Sequence, residues 1–75
     1  MMYILLEIQV NENNQVGTLI TTYADLRQAE SAYFNVMAAA ALSHLPVHSA
    51  VLLTEKGLRL KGGWYTQDDE AATQE

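Results

Sequence analysis

Seventy-five residues, none of them cysteine, with a net charge of −5, make one small domain. The lack of cysteine excludes disulfides and thiolate zinc sites and fits an intracellular, cytoplasmic protein. Four of the nine acids (Asp68, Asp69, Glu70, Glu75) sit in the last eight residues. The rest of the chain is therefore nearly neutral and lacks the positive field a nucleic-acid-binding surface needs.

In chain order, Met2–Val10 reads as a strand. Ile4, Leu6, Ile8 and Val10 form a wholly apolar set, which is expected to face the core; Tyr3, Leu5, Glu7 and Gln9 form a set that turns polar. This strand is too hydrophobic for an edge. Asn11–Gly17 is a polar reversal, rich in asparagine that tolerates left-handed backbone. Thr18–Tyr23 follows as a β-branched strand suited to an edge.

Asp25–His44 carries the clearest periodicity. Leu26, Ala29, Ala32, Tyr33, Val36, Met37, Ala40 and His44 share one arc of a helix. Asp25 is the expected N-cap, with Gln28 at the capping-box position. Pro46 disfavours helical geometry at Leu45, which ends the helix near Ser43 or His44. Phe34, Ala38, Ala41, Leu42 and Leu45 make a second apolar stripe on the opposite side. A helix lying on one sheet does not need it, so it reads either as scattered exposed apolar residues or as a contact surface.

Val47–Thr54 alternates between two largely apolar sets, as a central strand covered on both sides does. Thr54-Glu55-Lys56-Gly57 is a tight turn with Gly57 at positive φ. Leu58–Tyr65 is the last strand: Leu58 and Leu60 are expected inward, Arg59 and Lys61 outward as edge guards. Gly62-Gly63 marks a bulge or bend before Trp64 and Tyr65. The domain thus spans 1–66, and 67–75 is an acidic tail expected to be disordered.

The order ββαββ gives an α+β fold. Two hairpins joined by a right-handed helical crossover place the strands 2-1-3-4 in one antiparallel sheet, the two most apolar central. The helix covers one face. The other is expected to expose Tyr3, Leu5, Ala50 and Leu52.

Motifs for chemistry are weak. His44 and His48 have metal-ligand spacing, but Pro46 separates them onto different elements and no acid lies near them in sequence. His44 suits a helix C-terminus and His48 the open sheet face. Ser31, Ser43 and Ser49 lie outside any nucleophile-elbow sequence. Gly62-Gly63 lacks the spacing and the lysine of a phosphate loop. Trp64, Tyr65, Arg59 and Lys61 read as an aromatic–basic patch for single strands or, better, as an edge strand with a terminal clamp. Glu7 has Arg59 or Lys61 as expected ion-pair partners, worth at most about 1 kcal/mol if exposed. No catalytic residue, cofactor or metal ligand is assigned.

The segments YILLEIQ, GTLITTY, the alanine-rich helix and PVHSAVLLTEKG together resemble a family of very small uncharacterised proteins of anaerobic bacteria and their prophages. The resemblance spans Met2 to about Tyr65. It implies no activity and no binding residue.

A chain of this size buries a modest fraction of its surface, and oligomerisation is the usual remedy where disulfides are absent. The first expectation is a non-enzymatic interaction or structural module acting as a homodimer. Its contact is either the sheet face (Tyr3, Leu5, Ala50, Leu52), which is favoured, or the helix stripe (Phe34, Ala38, Leu42). The second is a ligand-binding subunit or minor enzyme with a pocket between two copies, lined by His48, Arg59, Lys61 and Tyr65. The third is an acidic decoy for a nucleic-acid-binding protein, acting through its tail. Neither a nucleic acid nor a membrane is an expected partner. No apolar run reaches spanning length, and Glu7 and Gln9 interrupt the N-terminal one, which also lacks a signal peptide's basic start.

Overall fold

A computed structural model describes residues 1–67. The expected acidic tail lies, apart from Gln67, outside the described residues. Strands β1 (Tyr3–Val10) and β2 (Val16–Tyr23), helix α1 (Leu26–Ala41), and strands β3 (Val47–Thr54) and β4 (Arg59–Thr66) follow in that order. They form one antiparallel sheet, β2-β1-β3-β4, with α1 packed on one face.

Each connection is closed by local chemistry. Asn11 Oδ1 accepts from the backbone N–H groups of Asn13 (2.8 Å) and Gln15 (3.0 Å), while Asn14 takes φ 62°. Thr54 Oγ1 accepts from the N–H groups of Lys56 and Leu58, and Gly57 takes φ 87°. Asp25 caps α1 by accepting from the Gln28 N–H at 3.3 Å. The helix stops at Ala41, earlier than Pro46 alone requires. The N–H groups of Leu42 and Ser43 bond back only three residues, to Ala39 and Ala40, which tightens the last turn. Ser43 Oγ then takes the Leu45 N–H.

The helix face matches its periodicity: Ala29, Tyr33 and Ala40 are buried, with Ala32, Val36 and Met37 packed beside them. His44, at the end of the expected arc, is exposed. The sheet presents the face opposite to the one expected. Leu5 (4% exposed), Ala50 (0%) and Leu52 (0%) lie beneath α1 with Tyr3 at their margin, so they are core and not an open surface. The reason is close approach. An alanine-lined helix sits low on a sheet, and the sheet must be small there. Gly63 meets that need on the same face as Ala50, its cross-strand partner. A Cβ at Gly63 would lie 3.0 Å from both Tyr33 Oη and Met37 Cε.

The irregularity in β4 is one residue long and comes before the glycines. Arg59 pairs with Leu53 and Lys61 with Leu52, leaving Leu60 as the extra residue. A single inserted residue reverses the alternation. Lys61 consequently turns to the helix side while Arg59 stays on the other, and Leu58 and Leu60 are exposed instead of inward.

Candidate functional site

The face left uncovered by α1 follows from strand alternation and register. β1 contributes Ile4, Leu6, Ile8 and Val10 to it. β3 contributes Val47, Ser49, Val51 and Leu53, and the edges add Val16, Ile20 and Trp64. Ile20 is 63% exposed. The residues expected inside are therefore outside, and this face is more apolar than the one read as open. Among the described residues of the four strands, Arg59 is its one charged side chain. The Arg59 guanidinium lies over Gly62, with Nε 3.0 Å from where a Cβ would stand. A depression of about 290 Å³ lies here, bounded by Arg59, Gly62 and Trp64.

Reading by alternation misplaced this surface because the wholly apolar set of β1 is the open one, while the set carrying Glu7 and Gln9 faces the helix, where Glu7 is paired with His48; in β3 both sets are largely apolar. The available signal was residue type. The open set of β1 is nearly all Ile and Val, whereas the helix side mixes Leu, Ala, Gly and Tyr, which fit around a low-lying helix.

The helix side also holds a polar cluster built on a buried histidine. His48 is buried, and its Nε2 lies 2.5 Å from Glu7 Oε2. Gln9 Nε2 donates to the same carboxylate oxygen at 3.0 Å. His48 Nδ1 is buried without a partner. A shallow pocket of about 230 Å³ adjoins, lined by Glu7, Gln9, Gly17, Thr18 and Leu19. An acid–imidazole pair can relay a proton only if one ring nitrogen reaches a substrate. Here Nε2 is engaged by Glu7 and Nδ1 is sealed inside, so the pair joins β1 to β3 and presents no base to the pocket. Glu7 and His48 were expected on the open face; both lie on the helix side. Lys61, an expected partner of Glu7, stands instead 3.8 Å from Glu30 and 5.5 Å from the Phe34 ring centroid. Among the described residues no three His, Asp or Glu side chains converge as a metal site would require.

The remaining sequence candidates are split by the fold. His48, Lys61 and Tyr65 lie on the helix side and Arg59 on the other, so the four do not line one pocket. The aromatic–basic patch divides likewise: Arg59 and Trp64 on one side, Lys61 and Tyr65 on the opposite. The helix stripe is exposed as expected, with Leu42 at 82%, Phe34 and Ala38 also open, and Leu45 half-buried. Phe34 is partly occupied, edge-on to Tyr33 at 5.3 Å and beneath Lys61.

Burial pushes the Tyr33 hydroxyl above its ordinary value; the charge of Arg59 opposes the shift and Tyr65 adds to it. Among the described residues no helix is long and apolar enough to cross a membrane. No family model, curated protein or solved structure matches the chain.

Proposed function

We propose that the chain is a non-enzymatic self-association module, in which two copies pack their open sheet faces together. The observation that supports this reading is the aliphatic face formed by Ile4, Leu6, Ile8, Val51 and Leu53, with Trp64 at its border. Four strands about 4.8 Å apart and eight residues long present roughly 500 Å² of sheet per copy. That is near the top of the ~300–600 Å² that monomers usually leave as their largest apolar patch. Two such faces together reach roughly the 1,000 Å² that a specific interface needs. Aligned packing of two sheets is the usual way such faces are covered.

The test is sedimentation at micromolar concentration, with Val51→Lys as the variant. Val51 is central to the face and, by its register opposite Leu6 and Gly62, lies on the side away from the helix. The wild type is expected to run above one chain mass. Val51→Lys is expected to run at a lower mass than the wild type and keep its circular dichroism. A wild type at one chain mass, with a melting temperature unchanged by dilution, overturns the reading.

A further inference from the structure

We propose that β2 is a self-pairing edge: two copies of this chain join β2 to β2, antiparallel, and merge their sheets into one of eight strands. This goes beyond face packing and stands on a separate observation, the contrast between the two edges of the sheet.

Free edges are normally blocked by charge, proline, a bulge or a covering element. β4 has such guards: Arg59, Lys61 and the extra residue Leu60. β2, with the sequence VGTLITTY, has no charge, proline or bulge, and no element covers its outer edge among the described residues. It pairs with β1 in unbroken register from Val16 to Tyr23, without a bulge. All its residues but Tyr23 are exposed. The core under α1 is built on β1 and β3, through Leu5, Ala50 and Leu52, and leaves the β2 edge clear. Apolar side chains stand free on both of its sides, Leu19 on the helix side and Ile20 on the open side.

The occupant is a second copy because β2 is complementary to itself. It is uncharged, so pairing opposes no like charges. An edge that pairs with itself closes at two copies, whereas β2 on β4 would be head-to-tail and would run on. The bulge and cations of β4 oppose that second mode. Joining two antiparallel edges needs a two-fold axis perpendicular to the sheet, which keeps both helices on the same side. Residues on the same side must then meet, so the axis passes through one residue that faces its own copy. With the axis at Ile20, Leu19 of one copy faces Thr21 of the other, Thr18 faces Thr22, and Gly17 faces Tyr23. Threonine pairs and an aromatic beside glycine are favourable cross-strand neighbours.

The chain has no cysteine, so single substitutions report the axis directly. Thr18→Cys, Leu19→Cys, Ile20→Cys and Thr22→Cys would each be oxidised with diamide and run on a non-reducing gel, with Lys61→Cys as the β4 control. A residue on the axis faces itself at about 4.5–5.5 Å between Cα atoms, inside disulfide range. Four residues out of step, about 13 Å of strand separates the thiols. The expected result is a sharp maximum of cross-linked dimer at Ile20→Cys, or at Leu19→Cys for the neighbouring register, several-fold above Thr22→Cys and Lys61→Cys. The same profile is expected when Val51→Lys is added, which separates this edge from the sheet face. A flat profile across β2, or a maximum at Lys61→Cys, overturns the proposal. Amide exchange on the unsubstituted chain checks it without any variant. The alternate β2 amides that point away from β1 should be protected as strongly as those that point toward it, and rapid exchange at all of them also overturns it.

Discussion

Two adjacent glycines in β4 have opposite physical roles. Beneath α1, a methyl group on Gly63 would meet Tyr33 Oη and Met37 Cε at 3.0 Å. Met37 is a flexible end and can move, but the Tyr33 ring is held in the core. Gly63→Ala is therefore expected to lower stability by about 1–3 kcal/mol, the usual cost of overpacking. At Gly62 the nearest atoms belong to the far end of the Arg59 side chain, which can swing into solvent. Gly62→Ala should be neutral or stabilising by up to about 1 kcal/mol, since glycine within a strand loses more entropy on folding. Urea denaturation of the two variants side by side checks both signs. Tyr33 itself makes stability fall at alkaline pH. Its hydroxyl is raised above the ordinary value of 10.0, so the folded chain holds the proton more tightly than the unfolded chain does. Its contribution is complete below the unfolded value and is lost as pH rises through the folded one. Tyr33→Phe should flatten that part of the stability–pH curve, measured by denaturation at a series of alkaline pH values.

Among the elements, the helix was legible and the facing of the sheet was not. Leu26, Ala29, Tyr33, Val36, Met37 and Ala40 recur at a spacing that only a helix brings onto one side, and polar Arg27, Gln28, Ser31 and Asn35 give the contrast. Strand order was equally readable, because two hairpins and one right-handed crossover leave little choice once β1 and β3 are recognised as the apolar pair. In β3, however, both alternating sets are largely apolar, and in β1 the contrast misleads, because Glu7 on the helix side is satisfied by His48. What decides the facing is the fit of Ala29 and Tyr33 to Ala50 and Gly63, a three-dimensional property. The extra residue at Leu60 was hidden for another reason: a bulge leaves no compositional trace, yet it puts Arg59 and Lys61 on opposite sides of the sheet. The start of α1 is where local sequence acts most simply. Asp25→Ala removes the bond from the Gln28 N–H and is expected to cost about 1 kcal/mol, read as a lower urea midpoint with unchanged slope.

For the whole molecule, the two proposed surfaces have different symmetry requirements, and together they close. Pairing at β2 places two helices on one side of an eight-stranded sheet and doubles the apolar area on the other. Packing two such sheets face to face covers that area and gives a tetramer with three mutually perpendicular two-folds, a common closed arrangement. No further edge is offered for growth, because β4, with its cations and bulge, lies at both ends of each sheet. The surfaces can be removed one at a time. Val51→Lys leaves β2 intact and should reduce the assembly to edge-paired dimers. Ile20→Lys sets like charges opposite each other at the axis and also touches the face. Leu19→Lys, on the helix side of the same strand, is the cleaner edge variant and should leave face-packed dimers, while the double variant Leu19→Lys/Val51→Lys should run as a single chain. Sedimentation equilibrium should give four chain masses for the wild type, two for each single variant and one for the double variant. The melting temperature should rise with concentration for the first three and be independent of it for the fourth, since only association links stability to the amount of protein present. A double variant as heavy as the wild type would show that neither surface holds the copies together and would return attention to the exposed helix stripe around Leu42.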